Sequence, residues 1–166
     1  MSSSVRPEIA RLGELGPFPS SVVADAETVG TFADLLLSIK EPVTDDEARI
    51  LVTLFGPDDL FGLAYTVVHL VETAPGWPLE DCLQDTGNRF VATLRYGIEN
   101  SERYCSQNPP RFKLGECVRV KGKLSQTGTI MTERNLARRY KVKEAGGTEV
   151  VLREDDLELC DHPIKQ

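Results

Sequence analysis

The segment Gly56–Pro78 reads G-P-D-D-L-F-G-L-A-Y-T-V-V-H-L-V-E-T-A-P-G-W-P, and it predicts the central helix of a helical half. Pro57 suits the first position of a helix, because the N–H group that proline lacks would have no partner there. Apolar residues then cover well over half of the helix circumference, which is more than a helix with one buried stripe needs. Pro75 and Pro78 end the helix. We therefore expect the other helices to pack around this one.

One narrow polar line remains on this helix, and it carries the candidate catalytic residues Tyr65, His69 and Glu72. A neutral imidazole one turn away from a carboxylate can act as a base or as a metal ligand. The alternative is that Tyr65 and His69 are interior or boundary residues, because a catalytic site needs more converging groups than these. The enzyme question stays open with the balance against catalysis, and the sequence predicts no cofactor and no metal site.

Three more helices are predicted around the central one. The first covers about Ala26–Lys40. The second begins at Thr44, where T-D-D-E matches a capping box, and Gly56 closes it. The fourth runs from near Pro78 to about Arg103 and carries Gly87 within its buried stripe. Four helices joined by short connectors predict a compact helical bundle.

The period of the hydrophobic pattern changes after Asn108-Pro109-Pro110, a tripeptide that favours an extended connector. Five short strands with alternating residues follow, and Gly146-Gly147 is a hairpin signal between two of them. This spacing predicts a small antiparallel barrel, so the predicted class is α+β with a four-helix bundle-like half first. The predicted segments are a loosely ordered arm (1–24), an α-helical domain (25–104), a linker (105–110), a β-barrel (111–160) and a tail (161–166).

The barrel segment reads F-K-L-G-E-C-V-R-V…T-G-T-I…R-Y-K-V…G-G…V-V-L-R-E-D-D-L-E-L over about residues 111–160. It resembles the SH3-like small barrels of bacterial and organellar proteins, which include KOW-type modules and the barrels of nitrile hydratase and small photosynthetic subunits. The resemblance implies binding of peptides, nucleic acids or neighbouring subunits. It also implies antiparallel pairing of the first and last strands, which brings Cys117 close to Cys160. Phe112 and Tyr140 are its only aromatic residues, which argues against a groove for proline-rich peptides.

The net charge of −7 is unevenly distributed along the chain. Residues 1–104 hold 7 Lys/Arg against 17 Asp/Glu, whereas residues 105–166 hold 12 against 9. An acidic half can attract a basic protein partner, and this half resembles small bacterial immunity proteins in general character, without a shared motif. Protein–protein interaction of an immunity or inhibitor type is therefore the first functional hypothesis.

Candidate binding residues for this hypothesis are carboxylates at two successive predicted helix starts and the single tryptophan: Asp45, Asp46, Asp58, Asp59 and Trp77. The carboxylates also have a simpler explanation, since each favours the positive end of a helix dipole. The tryptophan is either an exposed interface anchor or a lid on the helical core.

Nucleic-acid binding is the second hypothesis, because the barrel segment carries basic residues on alternate positions and in one loop. The candidate phosphate-binding residues are Arg119, Lys121, Arg134, Arg138 and Arg139. The alternative is a solvated strand face, and the scarcity of aromatic residues for base stacking favours that alternative.

The sequence predicts a cytoplasmic protein. It has no secretory start and no stretch of about 18 apolar residues that would span a membrane. Its cysteines, Cys82, Cys105, Cys117 and Cys160, show no C-x-x-C spacing and no histidines at zinc-ligand distances. They are therefore expected to be reduced thiols.

Overall fold

The computed structural model describes residues 5–123, 125–135 and 138–160, and over this range the protein is a mixed α+β chain. The helices are α1 (Pro7–Leu15), α2 (Ala26–Ser38), α3 (Asp45–Val52), α4 (Leu63–Val71) and α5 (Arg89–Gln107). The strands are β1 (Cys117–Val120), β2 (Thr127–Ile130), β3 (Arg139–Glu144), β4 (Glu149–Arg153) and β5 (Leu157–Leu159). Short 3₁₀ turns occur at Glu80–Leu83 and Glu154–Asp156. The predicted tail, 161–166, lies outside the described residues.

The chain divides into two compact units, Met1–Glu99 and Asn100–Gln166, which we call the helical unit and the sheet unit. Each unit has its own cluster of buried hydrophobic side chains. The division falls within α5, whereas the sequence placed it at the linker 105–110.

The N-terminal segment, expected as a loosely ordered arm, forms α1 and joins the helical core. Ile9, Leu12 and Phe18 are essentially fully buried, and α1 packs against α2 and α3. The side chain of Arg6 adds a second attachment, since its Nε lies 2.8 Å from Oε1 of Glu47 on α3. The expectation of a loose arm therefore does not hold for the described part of residues 1–24.

The capping box predicted at Thr44 is confirmed. The backbone N–H of Glu47 donates to the Thr44 hydroxyl at 3.2 Å, and the N–H of Thr44 donates to Oε2 of Glu47 at 2.8 Å. The box satisfies two free N–H groups at the start of α3. The same carboxylate binds Arg6, so Glu47 both caps α3 and holds the N-terminal segment.

The central helix is shorter than predicted. Its helical part, α4, packs against α2 and α3, and five of its nine residues are buried. The four residues before Gly62 are not helical, because Leu60 and Phe61 have left-handed φ angles of 40° and 55°. The carboxylate of Asp58 does not cap a helix there and instead accepts hydrogen bonds from another loop.

The predicted fourth helix also begins later than expected. The chain forms only a 3₁₀ turn at Glu80–Leu83, and α5 begins at Arg89 after Asn88, whose Oδ1 accepts the N–H of Phe90 at 2.9 Å. Gly87 lies in the turn before α5, where its N–H donates to Asp85. Placing Gly87 within a buried helical stripe was therefore wrong.

The sheet is antiparallel throughout, with strand order β4-β3-β2-β1-β5. Its core is formed by Phe112, Val118, Ile130, Tyr140, Val142 and Leu157. Within the described residues the sheet is open, because no pairing joins its edge strands β4 and β5.

The pairing of β1 with β5 places Cys117 directly opposite Cys160, with a Cα–Cα distance of 5.5 Å. Their predicted proximity is confirmed. The expected reduced state of these two thiols does not hold, since the structure joins them as a disulfide. The cross-strand register brings the two side chains into bonding range.

Candidate functional site

The predicted catalytic line on α4 lies on the surface of the helical unit. The side chain of His69 is 77% exposed, and its Nδ1 lies 3.9 Å from Oε2 of Glu72. Burial raises the pKa of Glu72, an effect that the nearby His69 opposes. The hydroxyl of Tyr65 accepts a long hydrogen bond of 3.4 Å from Arg89. The structure thus brings an acid and an imidazole together without a pocket around the imidazole.

Metal binding receives no support from this line. Among the residues that the structure describes, no three His, Cys, Asp or Glu side chains form a group that could hold a metal ion. The thiol of Cys82 is buried, and desolvation raises its pKa to about 11, so it stays protonated at neutral pH.

Two of the predicted acidic binding residues are occupied by groups of the chain itself. Oδ1 of Asp45 accepts the backbone N–H of Gly76 at 2.8 Å. Asp46 pairs with Arg49, which also binds Asp81 across the start of the 3₁₀ turn. Both Asp46 and Asp81 remain more than half exposed, so their charges still act on the surroundings.

Asp58 is the most heavily hydrogen-bonded carboxylate of this acidic set. It accepts hydrogen bonds from the hydroxyl of Ser20 and the N–H of Ser21, both at 2.8 Å, and from the N–H of Leu60 at 2.9 Å. The hydrogen bonds from Leu60 and Ser20 lower the pKa of Asp58 to about 2. Asp58 is therefore an anion at neutral pH, and it ties residues 20–21 to the turn before α4. The half-buried Asp59 follows it in the chain.

The two segments joined by Asp58 carry three exposed apolar side chains, Val22, Val23 and Phe61, which we call the apolar tip. Their exposed fractions are 89%, 76% and 69%, respectively. Phe61 holds a left-handed φ, and such a conformation in a non-glycine residue costs of order 1–3 kcal/mol. Phe61 belongs to the apolar residues of the segment Gly56–Pro78, which the sequence predicts as one buried helix, so this surface is not evident from the sequence.

Trp77 is 5% exposed and belongs to the core of the helical unit. It is therefore not available as a surface anchor in this conformation. This position agrees with the interpretation of Trp77 as a lid on the helical core.

Two of the predicted basic residues, Arg134 and Arg138, have partners within the sheet unit. The side chain of Arg134 is only 3% exposed and lies between Oε2 of Glu154, at 2.9 Å, and the carbonyl of Asn108, at 2.6 Å. Arg138 donates to Asp155 at 2.8 Å, and its guanidinium lies 4.8 Å from the centre of the Tyr104 ring.

The remaining three members of the basic set differ in exposure. Arg119 donates to Glu158 at 2.6 Å, Arg139 is buried, and Lys121 is exposed. Phosphate binding by the whole set would require most of these ion pairs to open, so the five residues do not form a free cationic face.

Glu154 is the centre of a buried polar network in the sheet unit. Besides Arg134, it accepts the N–H of Arg111 at 2.9 Å and the hydroxyl of Tyr140 at 3.0 Å. Burial alone would raise the pKa of Glu154, but these hydrogen bonds outweigh it and lower the pKa. The network fixes the segment before β1 and the β2–β3 connection to the sheet, which is a structural role.

An open cleft of about 330 Å³ lies in the helical unit. It is lined by Gly56, Pro57, Asp85, Gly87, Asn88 and Arg89. Asn88 caps α5 and Asp85 accepts the N–H of Gly87, so its polar groups serve the turn itself. The cleft therefore lacks a set of convergent free groups that would define a small-molecule site.

No family model, characterised protein or solved structure matches the chain. Within the described residues, no helix combines the length and the apolar character needed to cross a membrane.

Proposed function

We propose that the chain is a non-enzymatic binding protein that recognises a basic protein partner through its helical unit. The observation that carries this proposal is the charge of Met1–Glu99, which holds 6 Lys/Arg against 16 Asp/Glu. No Lys or Arg occurs in residues 12–39 or 50–88. A surface of one sign attracts partners of the opposite sign and accelerates their encounter.

An immunity or inhibitor type of activity fits this proposal, since such a protein has to capture a basic partner rather than transform a substrate. The catalytic alternative at Tyr65, His69 and Glu72 is less favoured because the imidazole is exposed. The nucleic-acid alternative is less favoured because Arg134 is buried against Glu154. Nucleic-acid binding by free lysines such as Lys121 remains the second candidate function.

We also propose that the sheet unit is an SH3-like small barrel and that the helical unit is bundle-like. The pairing of the first strand with the last, and the order β4-β3-β2-β1-β5, support the resemblance to such barrels. Four helices of the helical unit pack in succession, α1 on α2, α2 on α4, α4 on α3 and α3 on α1, which supports a bundle-like arrangement. Its members differ from the predicted ones, because α1 was not among the four predicted helices and the predicted fourth helix, α5, is not part of this ring.

A cytoplasmic location belongs to the same proposal, and the cysteines test it. The structure joins Cys117 to Cys160, and disulfides are rare in cytosolic proteins, so a cytoplasmic location requires this pair to be reduced in cells. Four titratable thiols in cells lysed under thiol-trapping conditions would support that location. Two titratable thiols, with Cys117 and Cys160 protected, would instead place the protein in an oxidising compartment. Mass spectrometry after alkylation distinguishes the two results.

The proposed function predicts that reversing carboxylates of the helical unit slows partner binding. Asp46 and Asp59 are the suitable pair, because Asp45 and Asp58 support the backbone. Two reversals to lysine change the net charge by +4, from −7 to −3. The parent chain and the D46K/D59K variant are used as baits in parallel pull-downs. A captured protein is then purified, and its rate of association with each bait is measured at low and moderate salt.

The matched control is E102K/E133K, which makes the same charge change on exposed residues of the sheet unit. We expect at least about tenfold slower association for D46K/D59K at low salt, a deficit that shrinks as salt rises, and little change for the control. Equal rates for both variants would contradict the proposal. Loss of capture after nuclease treatment would favour the nucleic-acid alternative.

A further inference from the structure

We propose that the apolar tip, Val22, Val23 and Phe61, is the anchor that the partner buries. The partner is then a protein with an apolar pocket bordered by Lys and Arg side chains. This inference rests on the proposed function and adds the site of contact and the chemistry of the partner. It replaces the predicted anchor Trp77, which is buried.

The geometry of the tip is built by one carboxylate. Asp58 accepts the N–H of Ser21, the residue before Val22, and the N–H of Leu60, the residue before Phe61. Both exposed segments are therefore attached within one residue of the same anion. The backbone before Val22 and the backbone before Phe61 are thus held by the same carboxylate.

The backbone directs Phe61 outwards. Leu60 and Phe61 both have left-handed φ angles, and the turn leaves Leu60 fully buried while Phe61 is exposed. Left-handed conformations in non-glycine residues are maintained by the surrounding structure and concentrate at functional sites. A large aromatic side chain held in solvent by such a turn is the type of residue that dominates protein interfaces.

The charge around the tip selects the partner. Asp25 and Glu27 are exposed two and four residues after Val23, and Asp59 lies two residues before Phe61. The two cation-free stretches, residues 12–39 and 50–88, contain all three tip residues. An apolar contact surrounded by carboxylates is complementary to an apolar pocket with a cationic border, because unlike charges on the border favour association and like charges oppose it.

The decisive variant is Phe61→Gly. Glycine adopts a left-handed φ without steric cost, so this variant is expected to fold with an unchanged or higher melting temperature. It removes the proposed anchor. A loss of binding in a variant that is at least as stable as the parent cannot be attributed to unfolding, and V22S/V23S provides an independent second variant in the other loop.

The probe is a phage-displayed library of random 16-residue peptides, selected against the full-length protein. We expect the recovered peptides to combine aromatic or aliphatic residues with flanking Lys or Arg. As synthetic peptides they should bind F61G and V22S/V23S at least about tenfold more weakly than the parent protein, which is typical of losing an interface anchor. The control L37S/Y96S, which alters two exposed apolar residues elsewhere in the helical unit, should bind unchanged.

Peptides that bind F61G and V22S/V23S as tightly as the parent protein would overturn the inference, as would recovered sequences without cationic residues. Failure to recover any binding peptide would also count against an anchoring surface. If a captured protein depends on Asp46 and Asp59 but not on Phe61, the proposed function stands and only the tip is excluded. If it depends on neither, both proposals fail.

Discussion

Replacing Arg134 by methionine is expected to lower the free energy of unfolding of the sheet unit by about 3 kcal/mol, because it removes the nearest cation from the buried carboxylate of Glu154 and leaves only Arg138, whose Nε lies 3.7 Å from Oε2. Both side chains of the pair are at most 3% exposed, so water cannot replace the lost partner at little cost. The hydroxyl of Tyr140 and the N–H of Arg111 would remain as donors, but neither carries a charge.

Hydrogen–deuterium exchange of peptides that contain β1 and β3 measures this loss in the sheet unit alone, even if the two units unfold separately. The control is Lys141→Met, which breaks the half-exposed pair Lys141–Glu149 and should cost at most about 1 kcal/mol. The double variant R134M/E154Q should lose less than the sum of the single variants, because neither unpaired charge remains. Additive losses, or a loss under about 1 kcal/mol for Arg134→Met, would contradict the network.

Replacing Glu47 by glutamine is expected to reduce the stability of the helical unit by about 3 kcal/mol at pH 7. Burial would raise the pKa of Glu47, but hydrogen bonds from Arg6 and Thr44 outweigh it and lower the pKa from 4.5 to about 2. Because the folded pKa is the lower one, this contribution is complete above the unfolded pKa. It is lost as the pH falls from about 4.5 to about 2.

The difference between the parent protein and Glu47→Gln should therefore shrink as the pH falls. Urea titrations at several pH values, followed by the fluorescence of the buried Trp77, measure it. Glu14→Gln is the matched control, because Glu14 pairs with Arg11 on the exposed face of α1. A difference between parent and Glu47→Gln that stays constant from pH 7 to pH 3 would exclude the proposed ion pair as its source.

Signals that lie within a few residues predicted local structure well. The start of α3 follows from T-D-D-E alone, since the capping box needs only Thr44 and Glu47. The alternation of Val118 and Val120 with polar residues likewise predicted β1. The start of α5 also has a local signal, because Asn88 is a preferred N-cap residue, but Glu80 and Asp81 after Pro78 are equally typical of a helix start.

The apolar tip could not be predicted in this way, because a long-range contact decides it. Pro57 and the following aspartates are typical of a helix start, and Phe61 has the spacing of a buried residue. In the structure, Asp58 binds Ser20 and Ser21, which are 37 or more residues away in the chain. Asp58 therefore does not cap a helix, and Phe61 lies exposed in a non-helical turn with a left-handed φ. Nothing in the local pattern indicates which serines the aspartate binds.

The scarcity of cations in the helical unit determines which reagents can detect an interface there. Lys40 is the only lysine before Lys113, so amine-reactive cross-linkers and lysine acylation report almost entirely on the sheet unit. Trypsin leaves residues 12–40 and 50–89 as long peptides, and both parts of the apolar tip lie inside them. Cross-linking through carboxylates, followed by cleavage after acidic residues, would detect contacts at this surface. Amine-reactive cross-linkers would give almost no cross-links there, even with a partner bound.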